Sequence, residues 1–186
     1  MSDVIEPRTV TTTSQNKSGT LDVAALVLVA ILLAAGFVLN LTVGKALGAT
    51  GIQPEFVIAA YCLAILIIRP TVGQTIVIAL LAATVIQITT SAPGVEYLCD
   101  VPASLIILLA SRLTGRGGAG KVVIPFVGSF LTTAVSGMIF AGVVTLVIRA
   151  VPVSFVAMMP IVFGTAVANA IIVALLYLPL KKAAKR

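Results

Sequence analysis

The sequence contains no histidine, no tryptophan and only two cysteines, and charged residues make up 10% of its 186 residues. The absence of histidine excludes imidazole ligands to zinc and imidazole acid or base catalysis. Cys62 lies within an apolar run and Cys99 in a predicted loop, so no disulfide is expected between them. We therefore predict no metal site and no cofactor. An enzyme is disfavoured because a base, a nucleophile and an orienting group cannot all be supplied.

Apolar residues dominate the chain. Charged residues form about a quarter of a soluble domain, whereas this chain is 60% hydrophobic, with a mean hydropathy of +1.20. Its apolar segments are about 20 residues long, as in membrane-spanning helices, rather than the alternating runs of about 10 that form barrel strands. We predict an all-α integral membrane protein, with six transmembrane helices in one compact bundle. The predicted spans are 21–43, 54–68, 71–90, 103–113, 122–148 and 154–180.

Three regions follow from this pattern. Residues 1–20 are polar and without apolar periodicity, which predicts a disordered cytoplasmic tail. Residues 21–180 form the membrane domain, and residues 181–186 form a basic cytoplasmic tail. The fourth span is short unless residues from Glu96 onward extend it.

The distribution of basic residues orients the bundle. Spans two and three form a hairpin that turns at Arg69-Pro70. In the six-span topology, all but two of the 12 basic residues lie on the side of this turn, and only Lys45 and Arg149 lie on the other. The positive-inside rule then places both termini in the cytoplasm. We expect the membrane to be the plasma membrane of the cell. The net charge of +6 is explained without a nucleic acid partner.

The opposite, outer side carries half of the acidic residues. Glu55 and Asp100 lie near predicted helix starts, where a carboxylate also favours the helix dipole, so capping alone explains each one singly. Together with Glu96, Gln53 and Tyr97 they predict the rim of a small-molecule pocket. An amine on a ligand is one partner for such carboxylates, and Arg149 or Lys45 is another.

Few polar residues interrupt the spans, and such groups are expected to face the bundle interior. Asn169 is the deepest amide, either as a ligand contact or as a hydrogen bond between helices. No carboxylate is predicted at mid-membrane, which argues against a proton or sodium pump. The candidate substrate-binding residues are Gln53, Glu55, Tyr97, Asp100 and Asn169.

Small residues recur at four-residue spacing in most spans. Such ridges allow close helix packing. The ridge of the first span, Ala30 and Ala34, is either internal packing or an external docking face. The glycine-rich segment GRGGAGK has P-loop spacing but lacks the following Ser or Thr and the preceding strand. It is predicted to be a flexible basic loop.

The segment GIQPEF, the short apolar helix ending in IIRP and the segment TTSAPGVEYLCD carry a family resemblance. They resemble the tryptophan-type S components of energy-coupling factor (ECF) transporters, with a Gly-x-x-Pro-acidic start to the second helix and a Thr-rich segment into a Pro-Gly loop. S components are substrate-capturing membrane subunits that work with a transmembrane T component and two cytoplasmic ATPases. The resemblance covers nearly the whole chain after the tail.

The resemblance implies capture of a small organic nutrient, an aromatic amino acid such as tryptophan or a vitamin-like compound. It also implies that Ala30 and Ala34 dock on the T component, and that the connection from Lys45 to Gln53 forms a lid. The chain has no ATPase motif of its own, so ATP hydrolysis is expected in the partners. The alternative is a structural or assembly membrane protein that oligomerises through its small-residue faces and binds no ligand.

Overall fold

A computed structural model describes residues 21–48, 53–114 and 120–184, and every regular element within these ranges is a helix. The predicted tail 1–20, part of the Lys45–Gln53 connection, most of the GRGGAGK segment and the last two residues lie outside the described residues. The described ranges contain six helices, as predicted. Their bounds are α1 Val23–Gly48, α2 Phe56–Ile68, α3 Val72–Ile86, α4 Val95–Leu113, α5 Gly120–Ile148 and α6 Pro152–Ala183. Of these, α1, α5 and α6 are long and apolar enough to cross a membrane.

Helix α2 lies at the centre of the bundle and packs against each of the other five helices. Its sequence is apolar on all sides, and such a helix is stable only when it is surrounded. Every residue from Val57 to Leu66 is buried. The five outer helices instead expose large apolar side chains to the surroundings, among them Val23, Val77, Leu109, Val123 and Leu175.

Small residues mark the closest helix contacts. A Cβ on Gly36 of α1 would lie 2.7 Å from the main-chain oxygen of Phe56, and one on Gly128 of α5 would lie 2.6 Å from the Cβ of Ala110. The predicted ridges of α3, α5 and α6 are internal, with Ala79, Ala83, Ser129, Ala141, Ala166 and Ala170 all buried.

The ridge of α1 differs, because Ala30 and Ala34 are exposed. The face of α1 that packs on the bundle is formed instead by Val29, Leu33 and Gly36. Ala30 and Ala34 therefore do not serve packing within this chain.

The helices alternate in direction, so the turn at Arg69 and the ends of α4 and α6 lie at one end of the bundle, which we call the basic end. Arg69 has a positive φ of 55°. Its guanidinium donates to the main-chain and hydroxyl oxygens of Thr114, and Arg112 donates to the carbonyl of Pro70 at 2.7 Å. Two arginines thus tie the α2–α3 turn to the end of α4. A capping box of Thr71 and Gln74 starts α3.

At the opposite end, which we call the acidic end, α1 and α5 each change from α-helix to π-helix, over Asn40–Gly44 and Val143–Ile148. Short π segments are frequent at functional sites because they alter the direction of side chains within a helix. The π segment of α1 begins with Asn40, which is buried against the start of α2.

Helix α4 begins earlier than its predicted span. It starts at Val95, after Gly94 with a positive φ of 86°, and continues through Pro102 in its interior. Asp100 therefore lies in the second turn of α4 and is fully buried, rather than in an outer loop or at a helix start. At the other terminus, α6 extends to Ala183, so Lys181 and Lys182 belong to its last turn.

Candidate functional site

A cavity of about 350 Å³ opens at the acidic end of the bundle. Residues from all six helices or their ends line it. The cavity exists because the central helix α2 is short. It begins at Phe56, whose N–H bonds to Asn40 of α1. Helix α1 continues past Asn40, so it extends further toward the acidic end than α2 does. Its position identifies it as the candidate binding site.

Asn40 and Glu55 form one wall of the cavity. The main-chain N–H of Phe56 donates to Asn40 Oδ1 at 2.6 Å, and Asn40 Nδ2 donates to Glu55 Oε2 at 2.9 Å. The amide of Asn40 thus satisfies a free N–H at the start of α2 and fixes the carboxylate of Glu55, which makes no capping bond of its own.

Glu96 lines the same cavity from the first turn of α4. Thr90 donates to its carboxylate at 2.7 Å, and the side chain of Gln87 accepts a hydrogen bond from the N–H of Gly94 at 2.8 Å. These bonds order the connection between α3 and α4. Glu96 and Glu55 line the same cavity, where like charges on the two carboxylates repel each other.

Asp100 lies behind the wall, one helical turn beyond Glu96. Its Oδ1 accepts from Ser136, a lining residue, at 3.0 Å and more weakly from the hydroxyl of Tyr61 at 3.5 Å. Its Oδ2 has no partner within the described residues. A buried acceptor left without a donor costs about 1–3 kcal/mol, so this part of the bundle is held in an unfavourable state.

Asn169 occupies a similar position on α6. Its Nδ2 donates to the main-chain oxygen of Glu55 at 3.1 Å and lies 3.3 Å from the hydroxyl of Thr133, another lining residue. Its Oδ1, like Asp100 Oδ2, lacks a partner in the described part of the chain. Asn169 forms the expected hydrogen bond between helices, and this bond also holds the start of α2.

Another part of the lining is apolar. Ile58, Ile86, Phe140, Met158 and Val162 contribute hydrocarbon surface from four helices. One region of a bound molecule therefore meets carboxylates and hydroxyls, while another meets hydrocarbon.

The sequence-predicted residues fall into three groups. Gln53 and Glu55 line the cavity, whereas Asp100 and Asn169 lie directly behind its lining. Tyr97 is turned away, because its hydroxyl lies 3.1 Å from that of Thr84 on α3.

The predicted candidate set omits nine polar residues of the lining: Asn40, Lys45, Thr89, Thr90, Ser91, Glu96, Thr133, Ser136 and Thr165. The four-residue spacing of Glu96 and Asp100 signals a shared helix face once α4 is started at Val95. Thr165 carries no such signal. Its hydroxyl donates to the main-chain oxygen of Gln53 at 3.0 Å, a contact between residues far apart in the chain.

Comparisons of this chain with protein-family models, with curated proteins and with solved structures find no match.

Proposed function

We propose that this chain is a six-span plasma-membrane protein that captures a small organic nutrient, acting as the substrate-binding subunit of an ECF-type importer. The observation that carries the proposal is the acidic cavity at one end of an otherwise apolar bundle. Buried polar groups in apolar surroundings are costly, and their convergence on one cavity is typical of a ligand site.

The exposed surface supports a position in the bilayer. Apolar side chains cover the outer helices, and a soluble protein rarely exposes so continuous an apolar surface. The basic end carries Arg69, Arg112, Lys121, Lys181 and Lys182, which under the positive-inside rule faces the cytoplasm. The cavity then faces outward, and both termini lie in the cytoplasm.

The exposed ridge of Ala30 and Ala34 supports a partner interaction. Small residues let helix backbones approach closely in a membrane, and in this chain they face away from the bundle. In the proposed assembly this face contacts the T component, which couples the chain to two ATPases. The candidate ligands are aromatic amino acids such as tryptophan and vitamin-like compounds.

The test is a thermal-shift screen of the purified chain in detergent against amino acids and vitamins. A ligand at about 100 times its dissociation constant adds near 2.7 kcal/mol to the free energy of unfolding. We expect one compound class to raise the melting temperature, and Glu55→Gln to reduce that rise at the same ligand concentration. The control is Asp22→Asn, which removes a carboxylate at the basic end and should leave the shift unchanged. Absence of any shift would contradict the proposal.

The exposed α1 ridge also favours a second candidate, an assembly protein that oligomerises without a ligand. It predicts a stable homo-oligomer that Ala34→Leu dissociates, measured by light scattering in detergent. The importer proposal instead predicts a ligand-binding monomer whose mass is unchanged by Ala34→Leu, while co-purification with the other transporter subunits is lost.

A further inference from the structure

The charges around the cavity indicate the class of ligand. The carboxylates of Glu55, Glu96 and Asp100 form one electrostatic cluster, and Lys45 is exposed at its edge. The hydrogen bonds that Glu55 and Glu96 receive come from neutral side chains, those of Asn40 and Thr90. Their negative charges are therefore not matched by the donors that hold them in place.

Behind the cavity wall, buried hydrogen-bond acceptors in the described part of the chain also lack partners. Within the described ranges three buried side-chain atoms lack a partner: Asp100 Oδ2, Asn169 Oδ1 and Ser129 Oγ. The amide oxygen of Asn169 and an ionised Asp100 carboxylate are acceptors only. Each of these two side chains is fully buried and is bonded through its other polar atom to a cavity-lining residue, Ser136 or Thr133. Two carboxylates, those of Glu55 and Glu96, line the cavity against one ammonium group, that of Lys45, and two of the unpaired buried atoms are acceptors.

An ammonium group supplies three donors, no acceptor and one positive charge, so it complements both features. A carboxylate would add acceptors and a like charge. Within the described ranges no three acidic or cysteine side chains converge closely enough to hold a metal ion. An organic cation matches both the carboxylates and the unpaired acceptors.

Building on the function proposed above, we infer that the ligand carries a protonated amine held between Glu55 and Glu96. Its apolar body packs on Ile86, Phe140 and Val162. Lys45 lies at the edge of the cavity, where its ammonium group pairs with a carboxylate on those ligands that carry one. Ligands without a carboxylate can bind as well.

The experiment uses sets of three compounds that share one body and differ only in charged groups. With an indole body these are tryptamine, tryptophan and indole-3-propionate, and the same series is made with phenyl and alkyl bodies. Dissociation constants are measured by calorimetry on the full chain in detergent. We expect the amine and the amino acid of at least one series to bind, and the acid without an amine to bind about 100-fold more weakly or not at all.

Variants locate the amine. Glu96→Gln and Glu55→Gln keep the shape of each side chain, and each should weaken the amine about 10-fold or more while Asp22→Asn has no effect. Either variant suffices if the other does not fold. An acid that binds as tightly as its amine counterpart overturns the amine inference but leaves ligand capture standing. Failure of every compound to bind, when the thermal-shift screen has found a ligand without an amine, also overturns the amine inference; failure in both experiments overturns ligand capture as well.

Discussion

The two ends of the bundle use their charged side chains in opposite ways. At the basic end, Arg69 and Arg112 donate hydrogen bonds to main-chain oxygens and join helix ends to each other. At the acidic end, Glu55 and Glu96 accept bonds from neutral side chains and repel one another across a cavity. The first arrangement stabilises the fold. Under the proposed function, the second keeps groups available for a ligand at the expense of stability, as functional sites commonly do.

The largest loss of stability should come from removing the arginine hydrogen bonds at the basic end. The double substitution Arg69→Ala with Arg112→Ala removes the donors to Thr114 and Pro70. Because bonds from charged donors contribute about 1.5 kcal/mol each, the free energy of unfolding in detergent should fall by roughly 3 kcal/mol. Affinity for the amine should be unchanged.

The matched control for this pair is Lys121→Ala with Lys182→Ala, which removes the same charge from exposed side chains at the same end. An equal loss of stability in the control would show that net charge, and not the arginine hydrogen bonds, determines the effect.

Gly36→Ala should disturb the acidic end by displacing helix α1 from helix α2. The new Cβ would lie 2.7 Å from the oxygen of Phe56, so α1 must move away from α2 and carry Asn40 with it. Overpacking of this kind costs about 1–3 kcal/mol. In contrast to the arginine pair, this substitution should also weaken ligand binding.

Gly73→Ala is the control for Gly36→Ala, because nothing lies within 4 Å of the position that its new Cβ would take. It should change stability by less than about 1 kcal/mol, in the stabilising direction, since alanine is the better helix former. Unfolding measured by circular dichroism distinguishes the two glycines, and similar losses in both would refute the close contact.

Thr71→Ala should have a smaller effect at the basic end. It removes the side-chain oxygen that accepts from the N–H of Gln74 at the start of α3. Loss of such a cap costs about 1 kcal/mol, with no change in ligand affinity. Thr71→Ser retains the hydroxyl and should restore stability. A serine variant as unstable as the alanine variant would exclude the cap as the cause.

The smallest expected change has the opposite sign. Glu96→Gln removes one of the repelling charges while keeping an acceptor for Thr90. The ligand-free protein should become more stable by about 0.5–1 kcal/mol, although the variant binds the amine less well. A loss of stability would mean that Glu96 serves the fold like the arginines at the other end.

The six helices could be predicted from the sequence because their apolar runs are long and their interruptions are distinct. The tight turn at Arg69 followed from the adjacent proline. Of the two starts predicted for the fourth span, Ala103 was wrong and the extension from Glu96 onward was nearly right, since Pro102 resembles a helix start and yet lies inside the helix. Consequently Asp100 was expected near an outer loop, although it is buried in the bundle.

Glu55 and Gln53 could be placed at the cavity because they precede a helix on the acidic side. Tyr97 could not be excluded, since the direction of its ring depends on Thr84 of the neighbouring helix. Thr165 could not be found, because its role depends on a contact with Gln53 that only the folded chain creates.

The short central helix has an electrical consequence. Eight residues of α1 continue past Asn40, beside the start of α2, so Glu55 lies about 12 Å below the end of α1. If the end of α1 lies at the outer face of a hydrocarbon core of about 30 Å, as the proposed orientation requires, a cation bound there would have passed through at most about two fifths of the transmembrane voltage. Each 100 mV, negative inside, would then favour its capture by at most about 0.9 kcal/mol. Under the proposed function, the resting potential of the cell would thus contribute to binding.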